Sequence, residues 1–265
     1  MGTRLDTLRA SWRQTLDSRD IDLLLADHLG KTPAWIFAHG DHELDPAAIE
    51  PVFQRRASGE PLQYIRGRAD FFGREYRVDS RVLIPRPETE LLVEAALNRA
   101  PHGARVVDVG TGSGCIAVSL ERERPDLQVF AVDRSPAALA VAKANNDRLE
   151  AHVRFAASDL LGSVSASFDL IVSNPPYIPA ADVETLDAVV RDHEPRMALT
   201  PGPRGTEIIE RILDQAGRAL VLLEIGYGQE RDIRELAAAR RFKVEAVIPD
   251  LATIPRVVVL SAHGD

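Results

Sequence analysis

The chain has 265 residues, 45% hydrophobic and 27% charged, with a formal net charge of −8. That length suits one large domain plus one small, and the acidic balance, without a dense Lys/Arg block, argues against binding along phosphate backbones. The single cysteine, Cys115, excludes an internal disulfide and a cysteine-based zinc site, no apolar run reaches spanning length, and charges at Arg4, Asp6, Arg9 and Arg13 leave no signal peptide, so a cytoplasmic protein is expected.

Residues 1–60 read as a small helical domain. Leu5, Leu8, Trp12 and Leu16 recur at helical spacing. Asp20 precedes an apolar run that Gly30 stops, and Thr32-Pro33 and Asp45-Pro46 each pair an N-cap with proline at the first helical position. Pro51 either kinks the last helix or marks its start. Residues 61–85 read as a β-hairpin linker, with strands at 63–65 and 75–78 around Gly73. His39 and His42 lie in a loop without further ligands, and no metal site is expected.

Residues 86–265 form the third and largest segment. A helix is predicted from Glu88 to about Ala100, followed by alternation of strands at 105–109, 128–132, 153–156, 169–173 and 220–225 with helices at 115–122, 136–149, 204–218 and 229–239. Alternation of this kind implies a mostly parallel α/β sheet covered on both faces. The last two strands, 242–248 and 256–260, have a connection too short for a parallel crossover and should pair antiparallel. Cys115 falls in an apolar helical run and reads as a small core residue.

The first strand runs into Gly110, Thr111, Gly112, Ser113 and Gly114. Glycines there allow a tight turn and close approach of a ligand. Asp133 ends the second strand, 23 residues after Gly110, where a carboxylate can accept both hydroxyls of a ribose. The third glycine comes one residue too early for a dinucleotide fingerprint. S-adenosylmethionine has no phosphate to cradle, so a looser turn suffices. After the third strand, Asp159 is placed either to reach an adenine amino group or to cap a solvated loop.

The fourth strand ends in Asn174-Pro175-Pro176-Tyr177. Two prolines lock φ, remove two N–H donors and leave carbonyl acceptors at fixed positions. Asn174 adds a side-chain acceptor and Tyr177 an aromatic face. That set suits methylation of a planar NH2 group. Asn174 and the Pro175 carbonyl would accept its two hydrogens while Tyr177 stacks on the plane, so catalysis is orientation and electrostatic stabilisation.

Nearly the whole chain resembles the protein-(glutamine N5) methyltransferases of peptide-chain release factors, the PrmC/HemK family. The resemblance rests on Phe71-Phe72-Gly73, Leu83-Ile84-Pro85-Arg86-Pro87-Glu88-Thr89-Glu90, the glycine turn, Asn174 to Ile178, Glu194-Pro195, Leu223-Glu224-Ile225-Gly226 and Ile254-Pro255-Arg256. It implies a Rossmann-like, class I S-adenosylmethionine-dependent methyltransferase sheet. The cofactor would contact Gly110, Thr111, Gly112, Ser113, Gly114, Asp133, Asp159, Leu160 and Asn174. The substrate, the glutamine of a class I release factor's Gly-Gly-Gln loop, would meet Asn174, Pro175, Pro176 and Tyr177. Three features depart from the family pattern: Leu160 and His193 stand at usually aromatic positions, and the turn before Leu220 is short. Glu88 and Glu90 read as first-turn acids, with a place in the cofactor pocket as the secondary reading. The alternative function is an adenine-N6 or related nucleic-acid methyltransferase, which shares the Asn-Pro-Pro-Tyr loop. No nucleic-acid substrate and no membrane partner are expected.

Overall fold

Residues 2–164 and 166–263 are described by a computed structural model, and the chain divides into two units, Met1–Arg68 with Asp187–His193, and Ala69–Leu186 with Glu194–Asp265. In the first unit, β1 (Thr3–Arg4) pairs with β2 (Glu43–Leu44) around helices α1 (Leu5–Trp12), α2 (Ser18–Leu29) and α3 (Pro33–Ala38). Helices α4 (Pro46–Ala57) and α5 (Leu62–Arg66) follow. Polar caps set the ends. The Thr32 and Asp45 side chains accept from Trp35 N and Ala47 N and satisfy donors that a helix start leaves unpaired. Asp17, not Asp20, caps α2 by accepting from Arg19 N. Pro51 lies inside α4, and fully buried Ile49 and Phe53 hold the helix on either side of it. Leu5, Ile21, Leu25 and Ile36 complete the core with them.

The strand expected at 63–65 is instead part of α5. Pro61 opens the turn, Gly67 closes it at φ 70°, and Tyr64 is buried. A three-residue apolar run carries too little periodicity to separate helix from strand. The hairpin lies later, in β3 (Arg68–Phe71) and β4 (Arg74–Arg77). Its turn, Phe72-Gly73, has φ of 48° and 69°, as a tight two-residue hairpin turn requires. The Asn145 side chain accepts from Arg77 N and donates to Arg77 O and Ser113 O, which fastens the hairpin and the glycine turn to one helix.

A 3₁₀ turn (Pro87–Thr89) and α6 (Glu90–Leu97) lead into the main sheet. Its elements are β5 (Arg105–Val109), α7 (Cys115–Glu123), β6 (Gln128–Asp133), α8 (Pro136–Arg148), β7 (Arg154–Ala157) and β8 (Leu170–Ser173). After the short helices α9 (Ala188–His193) and α10 (Arg196–Leu199) come α11 (Glu207–Gln215), β9 (Leu220–Glu224), α12 (Glu230–Ala239), β10 (Phe242–Pro249) and β11 (Pro255–Ala262). Helix α11 is shorter than the 204–218 expected, because Gly205 at φ 81° precedes it and Gly217 at φ 60° follows.

The strand order is β10-β11-β9-β8-β5-β6-β7. Strands β5 to β9 run parallel, and β11 pairs antiparallel with both β9 and β10. Alternate residues feed two cores: Val106 and Leu170 pack with α6 and α7, while Val107 and Ile171 pack with α11. The chain winds outward from β5 through β6 and β7, then returns to β8 on the other side of β5. That reversal opens a crevice at the carboxyl ends of β5 and β8, where sheets of this kind bind ligands. Among the described residues, no helix is long and apolar enough to cross a membrane.

Candidate active site

The crevice holds a cavity of about 220 Å³. Its floor is the glycine turn. Gly110 N and Thr111 N both donate to Val132 O, at 2.9 and 3.0 Å, which binds the end of β5 to the end of β6. Gly110 and Gly112 have φ of 76° and 53°, a region closed to most side chains. A Cβ at either would meet no atom within 4 Å. Both line the cavity, so open space lies where side chains would otherwise stand. Gly114 serves a different purpose. Its φ is 81° and an added Cβ would lie 3.1 Å from Ala142 Cβ, so its bare face is what lets α7 and α8 pack closely.

Asp133 sits at the end of β6. Its Oδ2 accepts from Gly112 N at 2.9 Å and its Oδ1 from Ser135 N at 2.8 Å. A carboxylate has about four acceptor sites, so two remain for a ligand. Beneath the turn, Asp108 is fully buried and accepts from Thr111 Oγ1 at 2.6 Å; burial pushes its carboxyl up to about 7 against that bond. Cys115 is buried, and burial pushes its thiol up to about 12, as suits a core residue.

Asp159 and Leu160 form one side wall. Asp159 is exposed and ion-paired with Arg211 at 2.6 Å, and the Arg211 bond holds its carboxyl below the usual range. Leu160 is buried with φ 53°, a backbone conformation that costs a non-glycine residue about 1–3 kcal/mol. Leu161 N donates to Gln215 Oε1 and anchors the next residue.

The opposite wall carries Asn174, Pro175 and Pro176. Ser173 Oγ donates to Val109 O at 2.6 Å and ties this loop to the glycine strand. Tyr177 stands behind the loop and is not among the cavity-lining residues. Its hydroxyl donates to Glu224 Oε1 at 3.2 Å and its carbonyl accepts from Gln229 Nε2 at 2.9 Å. A Cβ on Gly226 would lie 3.0 Å from the Tyr177 ring, and one on Gly205 would lie 2.4 Å from the Tyr177 carbonyl, so two glycines cradle this residue.

Sequence reasoning placed Gly110, Thr111, Gly112, Ser113, Asp133, Asp159, Leu160, Asn174, Pro175 and Pro176 at the site, and all ten line the cavity. Gly114 and Tyr177 do not; their contacts are with Ala142 and with Glu224, Gln229 and two glycines. Glu88 and Glu90 do not line it either. Glu90 instead accepts from Phe72 N at 2.7 Å and holds the hairpin turn.

Several contributors escaped the sequence. Residues 81–86, Thr89 and Met197 line the cavity. Buried Glu194 accepts from Arg86 Nη2 at 2.6 Å and from Ile84 N at 3.4 Å, which explains why the proline-rich segment and Glu194-Pro195 belong to one site. Glu224, 1% exposed, accepts from Thr89 Oγ1 at 2.6 Å. Glu224 is a lone acid in the apolar run 220–225, which was the available signal; Glu194, among charged neighbours, offered none.

Residues 87–198 match the family model of the methyltransferase small domain, and residues 9–67 match the PrmC N-terminal domain. A release factor glutamine methyltransferase from Koribacter versatilis is 45% identical over 90% of this chain and 89% of that one. Its counterpart from Geobacter sulfurreducens is 43% identical over 81% and 78%. Among solved structures, a methyltransferase from Pyrococcus furiosus shares the fold with a TM-score of 0.55 at 17% identity, over 72% of this chain and 90% of that one. A ribosomal protein L11 methylase from Lactobacillus delbrueckii does so with a TM-score of 0.52 at 21% identity, over 74% and 90%. The fold is thus that of class I methyltransferases, whose methyl donor is S-adenosylmethionine. By sequence shared along nearly its full length, the chain belongs to the family of release factor glutamine methyltransferases.

Proposed function

We propose that this enzyme methylates the side-chain amide nitrogen of the glutamine in the Gly-Gly-Gln loop of class I release factors, with Asn174 and Pro175 as the groups that orient that amide. One observation supports the assignment of residues: the Asn-Pro-Pro loop, the glycine turn and Asp133 all line a single cavity. S-adenosylmethionine supplies an electrophilic methyl group on a sulfonium. Gly110 and Gly112 present bare backbone to it, and the two spare acceptor sites of Asp133 suit ribose hydroxyls.

The substrate nitrogen is a poor nucleophile because its lone pair is delocalised into the carbonyl. Acceptance of its two hydrogens by Asn174 Oδ1 and the Pro175 carbonyl fixes the plane of the amide and turns the nitrogen's face toward the methyl group. The same acceptors stabilise positive charge as it develops on nitrogen. Most of the barrier is lowered by orientation in a preformed site. Tyr177 supports the loop from behind through Glu224 and Gln229.

Residues 1–60 act as the recognition domain, 61–85 as a linker and 86–265 as the catalytic domain, working in the cytoplasm on protein and not on nucleic acid. Asn174→Ala tests the assignment. The variant should keep its fold while turnover on an intact release factor at saturating S-adenosylmethionine falls about 100-fold or more, the usual effect of losing one preorganised group that stabilises developing charge. Turnover near the wild-type rate would remove Asn174 from the reaction.

A further inference from the structure

From Asn174 and Thr89, which line the cavity, a polar chain runs inward to buried Glu224 and on to Tyr177. Thr89 is 2% exposed and Glu224 1%. Asn174 Nδ2 donates to Thr89 Oγ1 at 3.0 Å, the Thr89 hydroxyl donates to Glu224 Oε2 at 2.6 Å, and the Tyr177 hydroxyl donates to Glu224 Oε1 at 3.2 Å. The directions of these bonds follow from proton counting. A threonine hydroxyl has one hydrogen. Once Thr89 gives it to the carboxylate, Thr89 can only accept from Asn174. The Asn174 amide must therefore turn its NH2 toward Thr89, and its oxygen is left for the cavity.

We propose that Thr89 and Glu224 are positioning residues for methyl transfer, which hold the Asn174 side chain in the one amide orientation that presents an acceptor to the substrate. This rests on the reading of Asn174 as an acceptor for the glutamine amide. The alternative rotamer, turned by half a revolution, would set an NH2 group against the substrate's own NH2, donor facing donor. Rotation of a terminal amide is otherwise cheap, because the two ends have the same shape. Something chemical must choose between them, and an ionised carboxylate relayed through a hydroxyl does so.

The selection depends on the charge of Glu224. Ionised, it accepts at both oxygens. Protonated, it carries a hydrogen of its own, and the Thr89 hydroxyl is free to swing toward Asn174 Oδ1, which stabilises the wrong orientation. Burial pushes this carboxyl up to about 7, opposed by the bonds from Thr89 and Tyr177 and by Arg256 on β11, and reinforced by Glu88 on the 3₁₀ turn. Protonation as pH falls through that range therefore releases the orientation; the other carboxyl pushed up to about 7, Asp108, bonds Thr111 beneath the glycine turn and lies outside this chain.

The test is steady-state kinetics of the full chain on an intact release factor, with Thr89→Val, Thr89→Ser, Glu224→Gln and Asn174→Ala. Thr89→Val keeps shape without the hydroxyl and should lower kcat about tenfold or more, with KM and the calorimetric affinity for S-adenosylmethionine within about twofold of wild type. Thr89→Ser should restore kcat. The wild-type kcat should fall with a single inflection as pH drops below about 7, and Glu224→Gln should lower kcat and abolish that inflection. A Thr89→Val enzyme with wild-type kcat, a Thr89→Ser enzyme as slow as Thr89→Val, or an inflection that survives in Glu224→Gln would each overturn the proposal. Asn174→Ala separates the two levels: if it is slow while Thr89→Val is not, only the positioning role fails, and if it turns over normally, the reading beneath it fails as well.

Discussion

Asp133 lines the cavity and also shapes its floor. Its two oxygens hold Gly112 N and Ser135 N, so it shapes the glycine turn before any cofactor arrives. Asp133→Ala should weaken S-adenosylmethionine binding by about 1.5–3 kcal/mol, the range for a hydrogen bond to a charged group, and Asp133→Asn should fall between, since one oxygen survives as an acceptor. Calorimetry on folded variants is the check, and unchanged affinity in Asp133→Ala would contradict the assignment. Asp133 was legible in the sequence because a carboxylate closing the second strand has few other uses. Thr89 and Glu224 were not. They are 135 residues apart, a threonine in a first helical turn looks like a cap, and a glutamate at a strand end looks solvated. Only the fold brings them together behind Asn174. For Tyr177 the sequence showed an aromatic ring but not its direction, and Gly205 and Gly226 account for where the ring lies.

At the scale of elements, the α/β alternation was readable because buried parallel strands are short apolar runs and the stretches between them are long enough for a crossover helix. The misreading fell at 63–65, where three residues gave no period and Gly67 acts as a helix stop. The glycine turn was readable as a turn, but not the division of labour within it. Gly110 and Gly112 keep the cavity open, whereas Gly114 lets two helices pack closely. Gly114→Ala should therefore cost stability first. A Cβ there sits 3.1 and 3.2 Å from Ala142 Cβ and Cα in a left-handed backbone, and overpacking with strain costs about 1–3 kcal/mol. Urea unfolding should show a lower midpoint at unchanged slope. Full stability in Gly114→Ala would mean that the close packing of α7 and α8 does not depend on a bare residue here.

For the molecule as a whole, the two units divide chemistry from what lies outside the cofactor fold. The sheet unit contains every cavity-lining residue. The helical unit has its own core, and it presents Phe37, three-quarters exposed, and a Trp35 ring stacked on His39. A separate recognition unit matters little for a small amide but much for a folded protein whose loop must reach a cavity, because binding energy remote from the reacting atom can support orientation at it. The central claim is that the methyl group goes to one glutamine nitrogen of a release factor. Its most direct test is mass spectrometry of three acceptors incubated side by side with enzyme and isotopically labelled S-adenosylmethionine: an intact release factor, the same protein with the Gly-Gly-Gln glutamine replaced by alanine, and adenine-containing DNA. The expected result is one labelled methyl group on that glutamine and none on the other two, and label on the alanine variant or on DNA would contradict it.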